Sequence, residues 1–258
     1  MSLFISSVFT YDEDAGNYIQ AVETADAQAL EPATRKAIND FVIGCKQDGI
    51  WTAIKASCIL AGARTLAGAL VPLVGTAPTP FGFVDANYDR KTGLIGDGNT
   101  KYLNSNRDNN ADPQDNSHMA LYSAVSWPER NGFYFAGMGA ASSGASSLRS
   151  ITGVMRFLIK STSASLGRNF TRNPGFVGMA RFNPTEFQSR LDSQMQVFSS
   201  NSVSAIPGPI SIFTDSSIPT SGVTNARLAF YSIGESLDLA RLDARVTDLI
   251  NAFAVTIP

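Results

Sequence analysis

The chain is poor in the residues that most often carry chemistry. It has two cysteines, one histidine and two tryptophans in 258 residues, and charged side chains make up 16%. A lone histidine, His118, cannot build a histidine-based metal cluster. Its flanks, Asp115-Asn116-Ser117 before and Met119 after, predict a loop entering a strand rather than part of a Ser-His-Asp triad. Cys45 and Cys58 are too few for a disulfide framework, and in a reducing compartment they are expected to be two buried thiols acting as small hydrophobes. The net charge of −2, the pI near 5.4 and the absence of any basic run leave no concentrated cationic face, so no nucleic-acid partner is expected. No stretch approaches the roughly 18 uninterrupted apolar residues of a membrane span. Met1–Phe9 has neither the basic start nor the apolar length of a signal peptide. These absences predict a chain made and folded in a cytoplasm, with no membrane partner, no cofactor and no metal.

What is present is a hydrophobic content of 44%, enough for a sizeable core in one large or two small domains. With so few charges, Ser, Thr, Asn and Gln must finish the surface, as they do in all-β shells and assembled particles. The first third reads as helical. Tyr18, Ile19, Val22 and Ala25 mark a short amphipathic helix with Asp12, Glu13 and Asp14 at its positive end. A second helix opens at Pro32 and runs to Gly44 or Gly49, with an apolar stripe of Ala33, Ala37, Ile38, Phe41, Val42 and Cys45. Ile50, Trp51 and Ile54 make a third short element. Ala61–Val71, rich in small residues, is expected to be a tightly packed connection.

From Thr76 the period changes to two. Met155, Phe157 and Ile159 alternate with Arg156 and Lys160, and Leu191, Met195 and Val197 alternate with Asp192, Gln194 and Gln196. Leu228, Phe230 and Ser232 alternate with Ala229, Tyr231 and Ile233. Gly, Pro, Asn and Ser clusters punctuate the runs at Asn104–Asn116, Met138–Ser147, Asn169–Gly175 and Ser199–Pro209. Many short strands of this kind favour a sandwich or barrel. At the end, Leu239, Leu242, Val246, Leu249, Ile250 and Phe253 fall on one helical face, with Ser236 as N-cap, Asp238 behind it, and Arg241, Arg245 and Asp248 facing solvent. The expected division is a helical N-terminal subdomain with a short arm over 1–75, and a β-sandwich ending in a helix over 76–258.

Candidate sites are few. Gly93-Leu-Ile-Gly-Asp-Gly-Asn lacks the Gly-Lys-Ser/Thr ending of a phosphate loop and reads as a turn signalled by Asp97-Gly98. Asp108, Asp112 and Asp115 offer calcium-type oxygen ligands within Asn104–Asn116, but their spacing matches no EF-hand, and a solvated loop is the simpler reading. Glycoside hydrolysis needs two facing carboxylates, and Glu129, Glu186 and Asp192 are scattered, so no catalytic residues are assigned and no enzyme is expected. Trp127, Phe133, Tyr134 and Phe135 flank a turn at Pro128–Gly132. Phe133 and Phe135 are expected to point into the core, which leaves Trp127 as the exposed aromatic and, with Tyr134, as the candidate glycan contact.

Two segments carry a family resemblance. Gly93–Leu103 resembles the opening strands of a laminin-G or concanavalin-A-like jelly roll, and Asn225–Ser236 resembles its closing strand running into a helix. Both are similar to segments of virion structural proteins of tailed bacteriophages, marine cyanophages especially. Ala25–Pro32 and Ile38–Trp51, ending in Asp48-Gly49-Ile50-Trp51, resemble the helical lead-in that precedes such domains. The resemblance implies a mainly β fold, a jelly-roll sandwich with a helical N-terminal subdomain and a C-terminal helix packed on it. It also implies a non-enzymatic virion component, a head decoration or cement knob or a tail fibre or baseplate module, contacting other virion proteins. The alternative use of the fold is a carbohydrate-binding module for host surface polysaccharide. A homo-oligomer, a trimer by the same resemblance, is expected to touch through residues 1–14 and the loops of Trp127–Thr224.

Overall fold

The computed structural model describes residues 10–129, 131–162 and 166–257, so most of the expected N-terminal arm lies outside the described residues. Helix α1 (Glu13–Asp26) starts where the charges placed it. Asp12 is its N-cap, accepting from the Asp14 amide, and Tyr18, Ile19 and Val22 are buried. Ala25 turns out to be exposed. Asp26 is buried instead, and its carboxylate accepts the amides of Arg64 (2.7 Å) and Thr65 (2.9 Å). Helix α2 (Pro32–Gln47) has Pro32 in its first turn and buries the expected stripe from Ala37 to Cys45, while Ala33 faces out and Thr34 faces in. The small-residue connection holds a single turn, α3 (Leu66–Ala69).

Three antiparallel sheets follow. The six-stranded sheet runs β1 (Ile54–Ile59), β16 (Phe230–Gly234), β6 (Ser117–Ser123), β11 (Gly175–Arg181), β12 (Glu186–Leu191) and β13 (Gln194–Ser199). The seven-stranded sheet runs β10 (Leu166–Asn169), β9 (Val154–Ile159), β8 (Ser146–Ile151), β7 (Phe133–Met138), β14 (Pro209–Ile212), β5 (Tyr102–Asp108) and β2 (Thr79–Phe81). A small sheet joins β15 (Arg227–Leu228), β4 (Gly93–Ile95) and β3 (Tyr88–Asp89). The chain is thus a mainly β jelly-roll sandwich of the laminin-G and concanavalin-A type. β1 lies in the segment read as helical, yet it pairs with β16 from Ile54↔Gly234 to Ile59↔Phe230, so the sheet reaches back across position 76.

The molecule has two apolar layers. Met119, Leu121, Phe135, Phe157, Met179 and Phe187 fill the space between the large sheets. On the other side of the six-stranded sheet, Ala120, Tyr122, Phe176, Ala180 and Phe230 meet the helices. Small residues recur on that face because helix α4 (Leu239–Thr256) lies directly over it: a Cβ on Gly178 would sit 3.1 Å from Leu239. All six residues of the expected α4 stripe are buried. The N-cap is Asp238 rather than Ser236. Its carboxylate accepts the amides of Ala240 (2.8 Å) and Arg241 (3.2 Å), while Ser236 donates to Asn116. Arg245 is not free in solvent but forks onto Asp48 at the end of α2 (2.7 and 3.1 Å), and Arg190 joins β12 to Asp243 of α4 (2.6 Å). Helices and sandwich are thereby locked together.

Other expectations are corrected in detail. β5 runs through Asp108, so the expected loop at Asn104–Asn116 shrinks to its second half, and Asp112 is buried against Arg107 (Nε to Oδ2 2.9 Å). Leu191–Val197 is not one strand but a hairpin, turned at Asp192 and Ser193, both at positive φ (50° and 57°). Lys160 does not point to water. Beyond the end of β9, at φ 47°, it breaks the alternation, and its ammonium donates inward to the carbonyls of Asp112 (2.8 Å) and Pro113 (3.1 Å). The turn at Gly93 requires glycine: φ is +94°, and a Cβ would lie 2.2 Å from the Leu228 carbonyl oxygen. A Gly93→Ala substitution should therefore cost about 2–4 kcal/mol in denaturant unfolding, with fold retained.

Candidate functional site

The aromatic pair singled out in the sequence is split by the structure. Trp127 is 3% exposed, which overturns the expectation of an exposed aromatic. Its amide donates to Arg172 O (2.8 Å), and this folds the indole over the end of the inter-sheet core, edge-on to Phe135 at 4.9 Å. Phe133 and Phe135 point inward as expected, which sends Tyr134 to the opposite face of β7. There Tyr134 is 7% exposed, covered by the Gly222 segment, with the Arg149 guanidinium 5.6 Å from its ring and donating to its hydroxyl (3.0 Å). Trp127 and Tyr134 therefore do not share a site.

Trp127 does form the floor of a cleft of about 150 Å³ at one end of the sandwich. Tyr122, Phe176 and Leu191 complete its apolar part, and Asn173, Asp192, Ser193, Asp243 and Thr247 form its polar part. The local reasons are clear. The hairpin turn carries Asp192 and Ser193, the Pro174-Gly175 approach to β11 carries Asn173, and the first turns of α4 carry Asp243 and Thr247. Both carboxylates are already engaged. Asp192 accepts from the Thr171 hydroxyl (2.8 Å) and amide (3.1 Å), and Asp243 accepts from Arg190 Nε (2.6 Å) and the Thr247 hydroxyl (3.1 Å). Burial pushes the Tyr122 phenol above its ordinary value. An aromatic floor under hydroxyls and amides suits a neutral, hydroxylated ligand better than an ion.

The remaining sequence candidates are structural in their surroundings. Glu129 pairs with Arg172 (2.6 Å) and Glu186 accepts from Asn183 (3.1 Å). His118 lies inside β6, its Nδ1 2.5 Å from Glu235 O and its Nε2 2.7 Å from Ser232 Oγ. Ser232 is fully buried, so this Ser–His contact has no route to a substrate. Cys45 and Cys58 are free buried thiols that burial pushes up to about 12. Among the described residues, no group of three or more His, Cys, Asp or Glu could hold a metal ion, and no helix is long and apolar enough to cross a membrane.

A different surface feature was missed. Large apolar side chains are exposed at sheet edges. Met195 (41%) and Val197 (52%) lie on β13, Phe182 (47%) follows β11 two strands inward, and Phe81 lies on β2, stacked on Tyr102 at 4.4 Å, with Val84 beyond it. The period from Leu191 through Met195 to Val197 runs on unbroken across the turn, so no local pattern marks the hairpin that makes β13 an edge.

No family model matches the chain, and no curated protein matches it. Solved structures do. The botulinum neurotoxin serotype D binding domain is similar at TM-score 0.53 and 13% identity over 76% of this chain, which spans 51% of that domain's length. Full-length tailspike protein 2 of Escherichia coli O157:H7 bacteriophage CAB120 (TM-score 0.41, 12% identity, 70% of this chain and 27% of that one) also matches. So do domains LG4-5 of the mouse laminin alpha1 chain (TM-score 0.37, 12% identity, 66% and 47%). At this identity the neurotoxin comparison establishes the fold: a jelly-roll sandwich.

Proposed function

We propose that the chain is a non-enzymatic structural component of a bacteriophage virion, a compact block that uses its jelly roll for contact with other virion proteins and with copies of itself. The observation that supports this is the placement of exposed apolar residues on open edge strands, Met195 and Val197 on β13 and Phe81 on β2. An enzyme needs groups free to meet a substrate, and here the cleft carboxylates are held by their neighbours. An assembly block needs uncharged patches that lose little on dehydration. The resemblance of Asp48-Gly49-Ile50-Trp51 and Asn225–Ser236 to virion proteins supports the same reading, with assembly in the host cytoplasm. Mass spectrometry of purified particles is the test: the chain should be present in many copies per particle, and its absence from the virion overturns the proposal.

The end cleft favours a second reading, recognition of a host surface polysaccharide. Trp127 would then act as a floor rather than as an exposed platform, and the rim residues Asn173 and Ser193 would bind hydroxyls. A glycan array should give hits that Asn173→Ala abolishes; an array without hits rejects this reading.

A further inference from the structure

We infer that β13 is a homodimerisation strand, pairing antiparallel with β13 of a second copy about a twofold axis at Val197. The inference rests on the assembly reading above and names the partner. β13 ends the six-stranded sheet, and no strand pairs with its outer edge among the described residues. Its sequence, Gln194-Met195-Gln196-Val197-Phe198-Ser199, carries no charge, no proline and no bulge, the devices that ordinarily keep an edge from pairing. On the α4 side of the sheet, beyond the helix, stand Met195 and Val197, both exposed.

The register follows from the hairpin. The two-residue turn at Asp192-Ser193 makes Leu191↔Gln194 a hydrogen-bonded pair, so Gln194, Gln196 and Phe198 bond inward to β12. The N–H and C=O groups of Met195, Val197 and Ser199 therefore point out of the edge. Laid antiparallel on a copy of itself, this set is self-complementary: Val197 faces its counterpart on the axis, and Met195 faces Ser199 on either side. A strand without charge meets no like-charge repulsion from its own copy. Arg168, a charged group at this edge, donates to Gln194 O (2.8 Å), beyond the end of the overlap. The two six-stranded sheets then become one continuous sheet, with the apolar patches side by side.

Light scattering on the full chain at tens of micromolar should give twice the 27.5 kDa chain mass. Val197→Lys sets two ammonium groups together on the axis and should weaken association about 100-fold. Val197→Pro removes only the outward-facing donor and should do the same while leaving β12 pairing and the circular dichroism spectrum intact. Val197→Cys should cross-link across the axis under copper-catalysed air oxidation, since paired Cα atoms about 5.5 Å apart suit a disulfide. Gln188→Cys, one strand inward, should not. A monomer, or a threefold mass unchanged by Val197→Lys and Val197→Pro, overturns the inference. A monomer would remove only the self-contact from the proposed function; whether the chain belongs to the virion is decided by particle composition.

Discussion

Replacing Arg181 by alanine is expected to cost about 3–5 kcal/mol of stability, among the largest effects of any single substitution in this chain. The side chain is fully buried, and among the described residues no carboxylate stands within ion-pair distance of it. Its charge is held by neutral acceptors instead. Nε donates to Ile159 O (3.1 Å), Nη1 to the carbonyls of Asn183 (3.1 Å), Glu186 (3.2 Å) and Ser200 (3.0 Å), and Nη2 to Ser161 Oγ (2.6 Å). These acceptors belong to the end of β9, the β11–β12 connection and the residue after β13, so one guanidinium ties the two sheets at their common edge. The planar group also lies 5.5 Å from the Phe187 ring. Removing it leaves a cavity and takes a donor from four carbonyls in a site closed to water, of which Ile159 O keeps the Ser161 hydroxyl (3.0 Å). Arg181→Lys should recover little, because a single ammonium cannot span acceptors arranged around a fork. Chemical denaturation with unchanged slope is the measurement, and a loss below about 1 kcal/mol would mean that water replaces the guanidinium.

Arg181 also shows what the sequence conceals. Position 181 ends a run, Phe176-Val177-Gly178-Met179-Ala180, that reads as a strand, and an arginine there looks like a surface residue. Its burial depends on carbonyls up to 22 residues away, which no local period reports. Lys160 and Trp127 went unread for the same reason. Both are turned inward by partners distant in sequence, Asp112 for the lysine and Arg172 for the tryptophan backbone. The α4 stripe was legible because one face of a regular helix meets one surface, so period and burial coincide. β1 was missed because Ile54–Ile59 is buried on both faces and follows two helices, so it lacks the alternation that announces a half-exposed strand. The hairpin at Asp192-Ser193 sat inside an apparently continuous alternation. Only its non-glycine residues at positive φ reveal it, and with it the open edge of β13.

Acidification should destabilise the fold in two separate steps, and the upper one belongs to His118. Burial holds its imidazole down to about 4 from an ordinary 6.5. Glu235 O can only accept, so the neutral ring must carry its proton on Nδ1, and Nε2 accepts from the Ser232 hydroxyl. A second proton has no acceptor until that hydroxyl turns away. The unfolded chain meets no such obstacle and takes up a proton near 6.5. Between pH 6.5 and about 4 the unfolded state therefore binds more protons, and stability falls as pH falls, by roughly 3 kcal/mol over that window. Above pH 6.5 the group is neutral in both states and adds no slope. The lower step belongs to carboxylates such as Glu31. The Arg90 guanidinium hydrogen-bonded to it holds its carboxyl down to about 2, so its contribution is complete above 4.5 and is lost between there and about 2. Because His118 is the single histidine, its ring C–H resonance reports the upper step without overlap. In the folded protein that resonance should not titrate above pH 5, and His118→Gln should flatten the stability profile between pH 6.5 and 4 while leaving the lower step in place. A folded-state midpoint near 6.5 would sink the account and would mean that the site opens to water at neutral pH.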